Sequence, residues 1–252
     1  MAWNNLFYAV FGALVGSFLN VCIVRLPKDE SVLFPRSHCR SCQTPLPFYD
    51  LVPIVSYLWL WGRCRHCGQR ITIEYPIVEG LTAFLAWVAF DEFGLTAIGI
   101  SYFFFICSLI VVTFIDLHHR IIPDTISIGG IILGFLLSFG LLGINYIESL
   151  LGILLGGGLL LLLAYIYFKT TKREGMGGGD IKLAAMMGAF LGYKNIFVVL
   201  MVSSILGSLW GLSLVLLRHQ NLKEAIPYGP FLAAAGIITL FYGEHILYFL
   251  GY

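Results

Sequence analysis

The 252 residues are 59% hydrophobic and 12% charged, with mean hydropathy +0.89, whereas soluble domains carry about 25% charged residues. This excludes a water-soluble globular domain and predicts an all-α polytopic membrane protein. The net charge of +1 gives no reason to expect a nucleic-acid partner.

The first apolar run, residues 5–26, is long enough to span a bilayer. It has no basic stretch before it and no small-residue cleavage site, so it reads as a retained span rather than a signal peptide. A mixed segment, Pro27–Tyr75, follows. Within it Leu51–Trp61 is apolar but too short to cross, and reads as interfacial or folded back. Further apolar runs are Pro76–Phe90, Ala97–Ile115, Thr125–Leu142, Leu150–Phe168, Ile181–Tyr193, Ile196–Leu217 and Pro230–Leu250, which makes about eight expected transmembrane helices. Ile181–Tyr193 is the shortest, and a re-entrant segment is its alternative.

Charge orients these spans. With Pro27–Tyr75 in the cytoplasm, every one of the 15 Lys and Arg except Lys194 falls on the inner side, the bias expected of cytoplasmic loops. Were Ile181–Tyr193 not to cross, Arg218 and Lys223 would move outside. The expected topology therefore has eight spans and both termini outside. The polar chemistry gathers in the inner segments Pro27–Tyr75, Asp116–Asp124, Lys169–Asp180 and Arg218–Gly229.

Four of the six cysteines form two close pairs, Cys39-Arg40-Ser41-Cys42 and Cys64-Arg65-His66-Cys67, with 21 residues between them. Two such knuckles close a tetrahedral four-thiolate zinc site. A reducing cytosol disfavours disulfides there. Four protein ligands leave no open position for a substrate, so the expected zinc is structural. His38 and His66 adjoin the cysteines and read as surface residues. Cys22 and Cys107 lie inside apolar runs and read as small buried hydrophobes.

Two aspartates carry the candidate chemistry. Asp116 ends the third expected span, in Ile115-Asp116-Leu117-His118-His119-Arg120. Asp180 opens the sixth, behind Gly177-Gly178-Gly179. The topology puts both at the cytoplasmic edge at similar depth. Two carboxylates sharing one proton can activate a water and polarise a carbonyl. Asp116 is also readable as a loop cap or a partner of Arg120, and Asp180 as a carboxylate at a helix N-terminus. Asp124, after Pro123, reads as a helix N-cap. The pair His118-His119 reads as interfacial.

Gly177-Gly178-Gly179-Asp180 fits the GxGD motif of membrane aspartyl proteases, and the chain as a whole resembles the bacterial prepilin peptidases, or type IV leader peptidases. The resemblance also rests on Gly16-Ser17-Phe18-Leu19-Asn20-Val21 with Arg25-Leu26-Pro27, on the two cysteine pairs, and on Glu74-Tyr75-Pro76-Ile77-Val78-Glu79. Ile115-Asp116 through Pro123-Asp124, Gly179-Asp180-Ile181-Lys182-Leu183 and Pro227-Tyr228-Gly229-Pro230-Phe231 complete it.

The resemblance implies cleavage of a basic leader from prepilins or pseudopilins by Asp116 and Asp180. It also implies methylation of the new N-terminal amine with S-adenosylmethionine as donor. It associates the methyltransferase with residues 1–75, comprising the first span and the zinc loop, and the protease with the helical bundle 76–252. Glu79 is the candidate residue for the methyltransferase region. The implied setting is the bacterial inner membrane, with lipid and a prepilin as partners. Three alternatives stay open: a presenilin-like protease with another substrate, a transporter with paired carboxylates, and a non-catalytic zinc-loop scaffold of a pilus or secretion assembly.

Overall fold

In lipid every backbone N–H and C=O must be satisfied within its own segment, so long apolar runs fold as helices. The computed structural model describes residues 2–172, 175–218 and 227–251. Lys223 and most of the inner segment Arg218–Gly229 lie outside the described residues, as do Arg173 and Glu174 of the inner segment Lys169–Asp180.

The order is α1 (Ala2–Arg25), α2 (Val55–Trp59), α3 (Glu74–Phe93), α4 (Ala97–His119), α5 (Asp124–Leu137), α6 (Tyr146–Thr171), α7 (Gly178–Arg218) and α8 (Gly229–Phe249). The only β pairing among the described residues is two isolated bridges, His38 with Pro45 and Arg63 with Arg70. By length and composition α1, α4, α6, α7 and α8 are candidate membrane spans. The chain is thus a helical, multi-pass membrane protein. α3 has 20 residues but carries Glu74, Glu79, Asp91 and Glu92. α5 is apolar but short, at 14 residues.

The chain divides into two units, Met1–Val111 and Val112–Tyr252, with the boundary inside α4. In the first unit α1 and α3 lie backbone to backbone. A Cβ at Gly16 would stand 2.8 Å from Glu79 Cα, and one at Gly12 would stand 2.7 Å from the Thr82 carbonyl oxygen. Small residues four apart let apolar helices approach this closely. Cys22 and Cys107 are free and buried, as expected.

In the second unit α6 and α7 meet at Gly152 and Gly188, where neither position has room for a Cβ. Ser149 Oγ donates to the Ala189 carbonyl at 2.8 Å across the same interface. α6 starts at a capping box. Asn145 Oδ1 accepts from Glu148 N at 2.9 Å, and Asn145 N donates to Glu148 Oε2 at 3.1 Å.

Three elements differ from expectation. The run Thr125–Leu142 ends as helix at Leu137, where Ser138 Oγ turns back to Phe135 O at 2.6 Å and Gly140 takes φ 147. The runs 181–193 and 196–217 form one long helical element interrupted at Gly192, with φ 79 and ψ 173, a conformation natural only to glycine. Asp124 is not the N-cap. Pro123 holds that position, Asp124 is the first helical residue, and its carboxylate pairs with Lys182 instead.

Candidate active site

Three helix ends build the carboxylate site in the second unit. α4 stops after His119, where Arg120 takes φ 55 and its N–H returns to the Asp116 carbonyl at 2.9 Å. The Asp116 side chain, 5% exposed, is thereby held in the last turn of α4. Its Oδ2 accepts the Gly229 N–H at 3.0 Å from the first residue of α8. A Cβ at Gly229 would stand 2.6 Å from that oxygen, so only glycine leaves room for the contact. Tyr228 is fixed by a 2.8 Å hydrogen bond between its hydroxyl and that of Ser203 on α7.

Asp180 lies in the first turn of α7, half-buried, with its N–H on the Gly177 carbonyl at 3.2 Å. The Asp116 carboxylate is near enough to act on it electrostatically. The glycines ahead of Asp180 play separate parts. A Cβ at Gly179 would come within 3.0 Å of Ile122 Cβ, so this turn packs tightly on the strand-like stretch before α5. Gly178 faces open space. Lys182 donates to Asp124 Oδ1 at 2.6 Å and ties the start of α7 to the start of α5. His118 and His119 are exposed. Asp116 and Asp124 from one motif, and Asp180 and Lys182 from another some 60 residues on, are thus brought to one place.

The second site is the four-cysteine cluster of the first unit. The two knuckles repeat one backbone plan. Cys39 N donates to Thr44 O at 3.0 Å and Cys64 N to Gln69 O at 2.9 Å. The residue after each second cysteine, Gln43 or Gly68, has positive φ. The sulfurs of Cys39, Cys42, Cys64 and Cys67 lie within 4.8 Å of one another, with Cys39 Sγ and Cys67 Sγ 3.8 Å apart. A tetrahedron with Zn–S bonds of about 2.3 Å has sulfurs about 3.8 Å apart, so the donor set fits zinc. Neither His38 nor His66 belongs to the cluster among the described residues; His38 Nδ1 lies 3.0 Å from Arg36 O instead.

The thiols are electrically crowded. Thr44 pulls Cys42 down to about 6. A Gln69 backbone hydrogen bond favours the Cys67 thiolate, but loss of water and the three neighbouring thiols outweigh it and push Cys67 up to about 11. Arg65, inside the second knuckle, grips Asp50 through two nitrogens, Nη2 to Oδ1 at 2.6 Å and Nε to Oδ2 at 3.0 Å.

Glu79 does not touch that cluster. It is buried, and its Oε2 accepts the Ile54 N–H at 2.7 Å, with the Ser17 side chain beside it. Residues the motifs left without a role act as ties here. Asn20 Nδ2 donates to Tyr75 O at 3.1 Å. The Arg25 guanidinium donates to Ser31 O at 2.9 Å and to Pro35 O at 2.7 Å. Gly229 and Asn20 lie in family-like motifs, but only the fold shows what each one meets.

Comparison with known proteins gives the class first. Residues 10–93 match the Bacterial Peptidase A24 N-terminal domain, and residues 103–212 match the Type IV leader peptidase family. The chain is also 36% identical to the prepilin leader peptidase/N-methyltransferase of Aeromonas hydrophila, covering 94% of this chain and 90% of the relative. It is 35% identical to the protein of that name from Bacillus subtilis strain 168, with 95% of each chain covered. With the Pseudomonas putida protein of that name the identity is 33%, over 94% of this chain and 90% of the relative. The chain belongs to the prepilin leader peptidase/N-methyltransferase family. No solved structure matches it.

Proposed function

We propose that Asp116 and Asp180 are the cleaving pair of a bifunctional enzyme that removes the leader of a prepilin or pseudopilin and N-methylates the residue exposed. One observation carries the assignment: two carboxylates from the ends of α4 and α7 come within electrostatic reach, and one of them is held by a backbone N–H of α8.

Two carboxylates that repel one another favour a state in which one of them keeps its proton. In the reaction the ionised carboxylate takes a proton from water as the water oxygen bonds to the scissile carbonyl carbon. The protonated carboxyl gives its proton to the carbonyl oxygen. Collapse of the tetrahedral adduct breaks the C–N bond, and the leaving amine takes up a proton. The Gly229 N–H fixes the orientation of Asp116 throughout. Open space beside Gly178 gives an extended peptide backbone access to Asp180.

The family name implies a methyl donor, for which S-adenosylmethionine is the proposed cofactor. Asn20, Arg25 and Glu79 of the first unit do not form a cradle for it, being engaged with backbone groups; among the described residues the buried side-chain polar atoms left without partners are Asn195 Oδ1 and Thr239 Oγ1 of the second unit. Zinc, held by Cys39, Cys42, Cys64 and Cys67, is proposed as a structural ion that fixes the two knuckles. We assign residues 1–75 to the methyltransferase-associated region and 76–252 to the protease bundle.

The proposed topology has eight passes in the bacterial inner membrane, with the zinc loop and both aspartates cytoplasmic and both termini outside. The interruption at Gly192 supports two passes within α7, and the distribution of Lys and Arg supports the sidedness. Detergent-purified protein mixed with a prepilin and S-adenosylmethionine, followed by intact mass of the product, tests the function. Leader loss plus one methyl group is expected. Cleavage that survives Asp116→Asn or Asp180→Asn overturns the pair.

A further inference from the structure

The short helix α2 leaves one face bare. Val55, Leu58 and Trp59 recur at i, i+3 and i+4, and their exposures are 59%, 66% and 76%. Trp61, just beyond, is 89% exposed. The opposite side of the helix is occupied by its own segment. Tyr57 packs its hydroxyl against Gly62 and donates to Ile71 O at 3.4 Å. The bare face is therefore outward by construction, and loose folding of the segment does not account for it.

Its depth can be read from the helices that hold it. The Ile54 N–H, at the start of α2, is bonded to Glu79 Oε2. Ile54 Cδ1 lies 4.0 Å from where a Cβ on Gly80 would stand. Glu79 is level with Gly16 of α1, given the 2.8 Å approach noted above. Gly16 lies nine residues before Arg25, the end of α1, which at 1.5 Å per residue is about 13 Å inside the helix end. α1 is a candidate span from Trp3 to Lys28. A bilayer is about 40–45 Å thick with its headgroups and about 30 Å without them. Gly16 is also the midpoint of the Trp3–Lys28 span, so the start of α2, tied to the Glu79 side chain, lies below the headgroup layer and within the acyl-chain region.

We propose that α2 and Trp61 seat in the lipid leaflet, beneath the headgroups, as an embedded foot of the zinc-binding segment. Lipid is the occupant that fits on three counts. The face begins at bilayer depth. It presents two tryptophans, which favour the membrane interface. Between Ser31 and Ile73 the segment carries five arginines against one aspartate, Asp50, a balance suited to anionic headgroups above a buried apolar face. Glu79 anchors the foot from inside the α1–α3 pair. It does so at Ile54, whose φ of 61 is a conformation a β-branched residue rarely adopts.

The test uses the full-length, zinc-loaded protein in vesicles. The chain has five tryptophans, at 3, 59, 61, 87 and 210. Replacing Trp3, Trp61, Trp87 and Trp210 by Phe leaves Trp59 alone. Phosphatidylcholine brominated on its acyl chains is expected to quench its emission strongly, and aqueous iodide little. A companion variant retaining only Trp210, which lies in a candidate span, calibrates the full lipid signal. Iodide quenching without lipid quenching would place the face in water and overturn the proposal. Quenching by neither would mean that protein covers it, a bound substrate or a second copy, and would overturn it equally.

Because the multiple Phe replacements can disturb folding, the unaltered protein is also irradiated with a phospholipid bearing a diazirine on its acyl chain. Label on the peptide containing Leu58 and Trp59 is expected. Label confined to α1, α4 and α6, with none between 51 and 61, would overturn the proposal.

Discussion

The side chain of Asp116 and the backbone of Gly229 are joined at 3.0 Å across 113 residues of sequence. A methyl group at Gly229 would meet the carboxylate oxygen at 2.6 Å. That oxygen is the end of a side chain able to rotate, so Gly229→Ala should leave the fold nearly untouched while turning the carboxylate away. A misplacement on the order of 1 Å can cost about a hundredfold in rate. The expected outcome is a fall in kcat/KM for prepilin cleavage of about tenfold to a hundredfold, with helicity by circular dichroism and zinc content unchanged.

Asn keeps the shape of Asp and its ability to accept the Gly229 N–H, but it cannot take a proton from water. Asp116→Asn and Asp180→Asn should each lower cleavage by at least about a hundredfold. Neither should alter methylation of a pilin already freed of its leader, because the proposed methyltransferase region lies elsewhere in the chain. Intact mass of the two products, measured side by side, checks both halves.

The zinc site gives a pH dependence with a definite sign. All four ligands must be thiolates in the complex. Without metal, loss of water and then the neighbouring sulfurs hold Cys67 up at about 11, so at neutral pH it carries its proton, although Thr44 brings Cys42 down to about 6. Zinc uptake at pH 7 should therefore release at least one proton per ion. Apparent affinity should rise with pH through this range and fall as the solution is acidified. Calorimetric titration in buffers of different ionisation heat measures the protons directly. Chelation should loosen the 36–70 segment, seen as faster proteolysis there, and leave the helix content of 112–218 intact.

Lys182 stands two residues from Asp180, yet it turns to Asp124, and both side chains of that pair are well exposed, 40% for Lys182 and 59% for Asp124. Exposed ion pairs contribute about 0.2–1 kcal/mol. Lys182→Met should accordingly cost less than about 1 kcal/mol in stability, and the loss should shrink with added salt. A fall in cleavage as large as that of Asp180→Asn would assign Lys182 a direct part in the chemistry.

Run length located the helices well: every long apolar stretch became helix over most of its length, two of them, 181–193 and 196–217, within one element. Local conformational chemistry was harder to read. Thr125–Leu142 looked continuous because its residues are apolar to the end, but the Ser138 hydroxyl and the positive φ of Gly140 stop the helix five residues early. Lys194 and Asn195 announced a break between the runs 181–193 and 196–217, but not that it would fall at Gly192, one glycine among 28. Cysteine spacing revealed the metal cluster because knuckle geometry is local. Asp116 and Asp180 were found by their motifs and by their similar place at the ends of expected spans. The contacts of Gly229, Glu79 and Asn20 depend on which helices pack together, which one sequence does not encode visibly. Asp124 was misjudged as a cap because its true partner, Lys182, is 58 residues away.

The carboxylate site also has a place in the order of synthesis. Asp116 is made first, Asp180 follows, and the N–H that orients Asp116 belongs to Gly229, made 113 residues after it. A chain still emerging from the ribosome, or one cut short before α8, holds an unoriented Asp116. Such a chain would sit in a membrane full of uncleaved precursors without acting on them. Proteolytic competence would then report that α8 has been threaded and docked, which makes cleavage itself an assay for insertion of that helix.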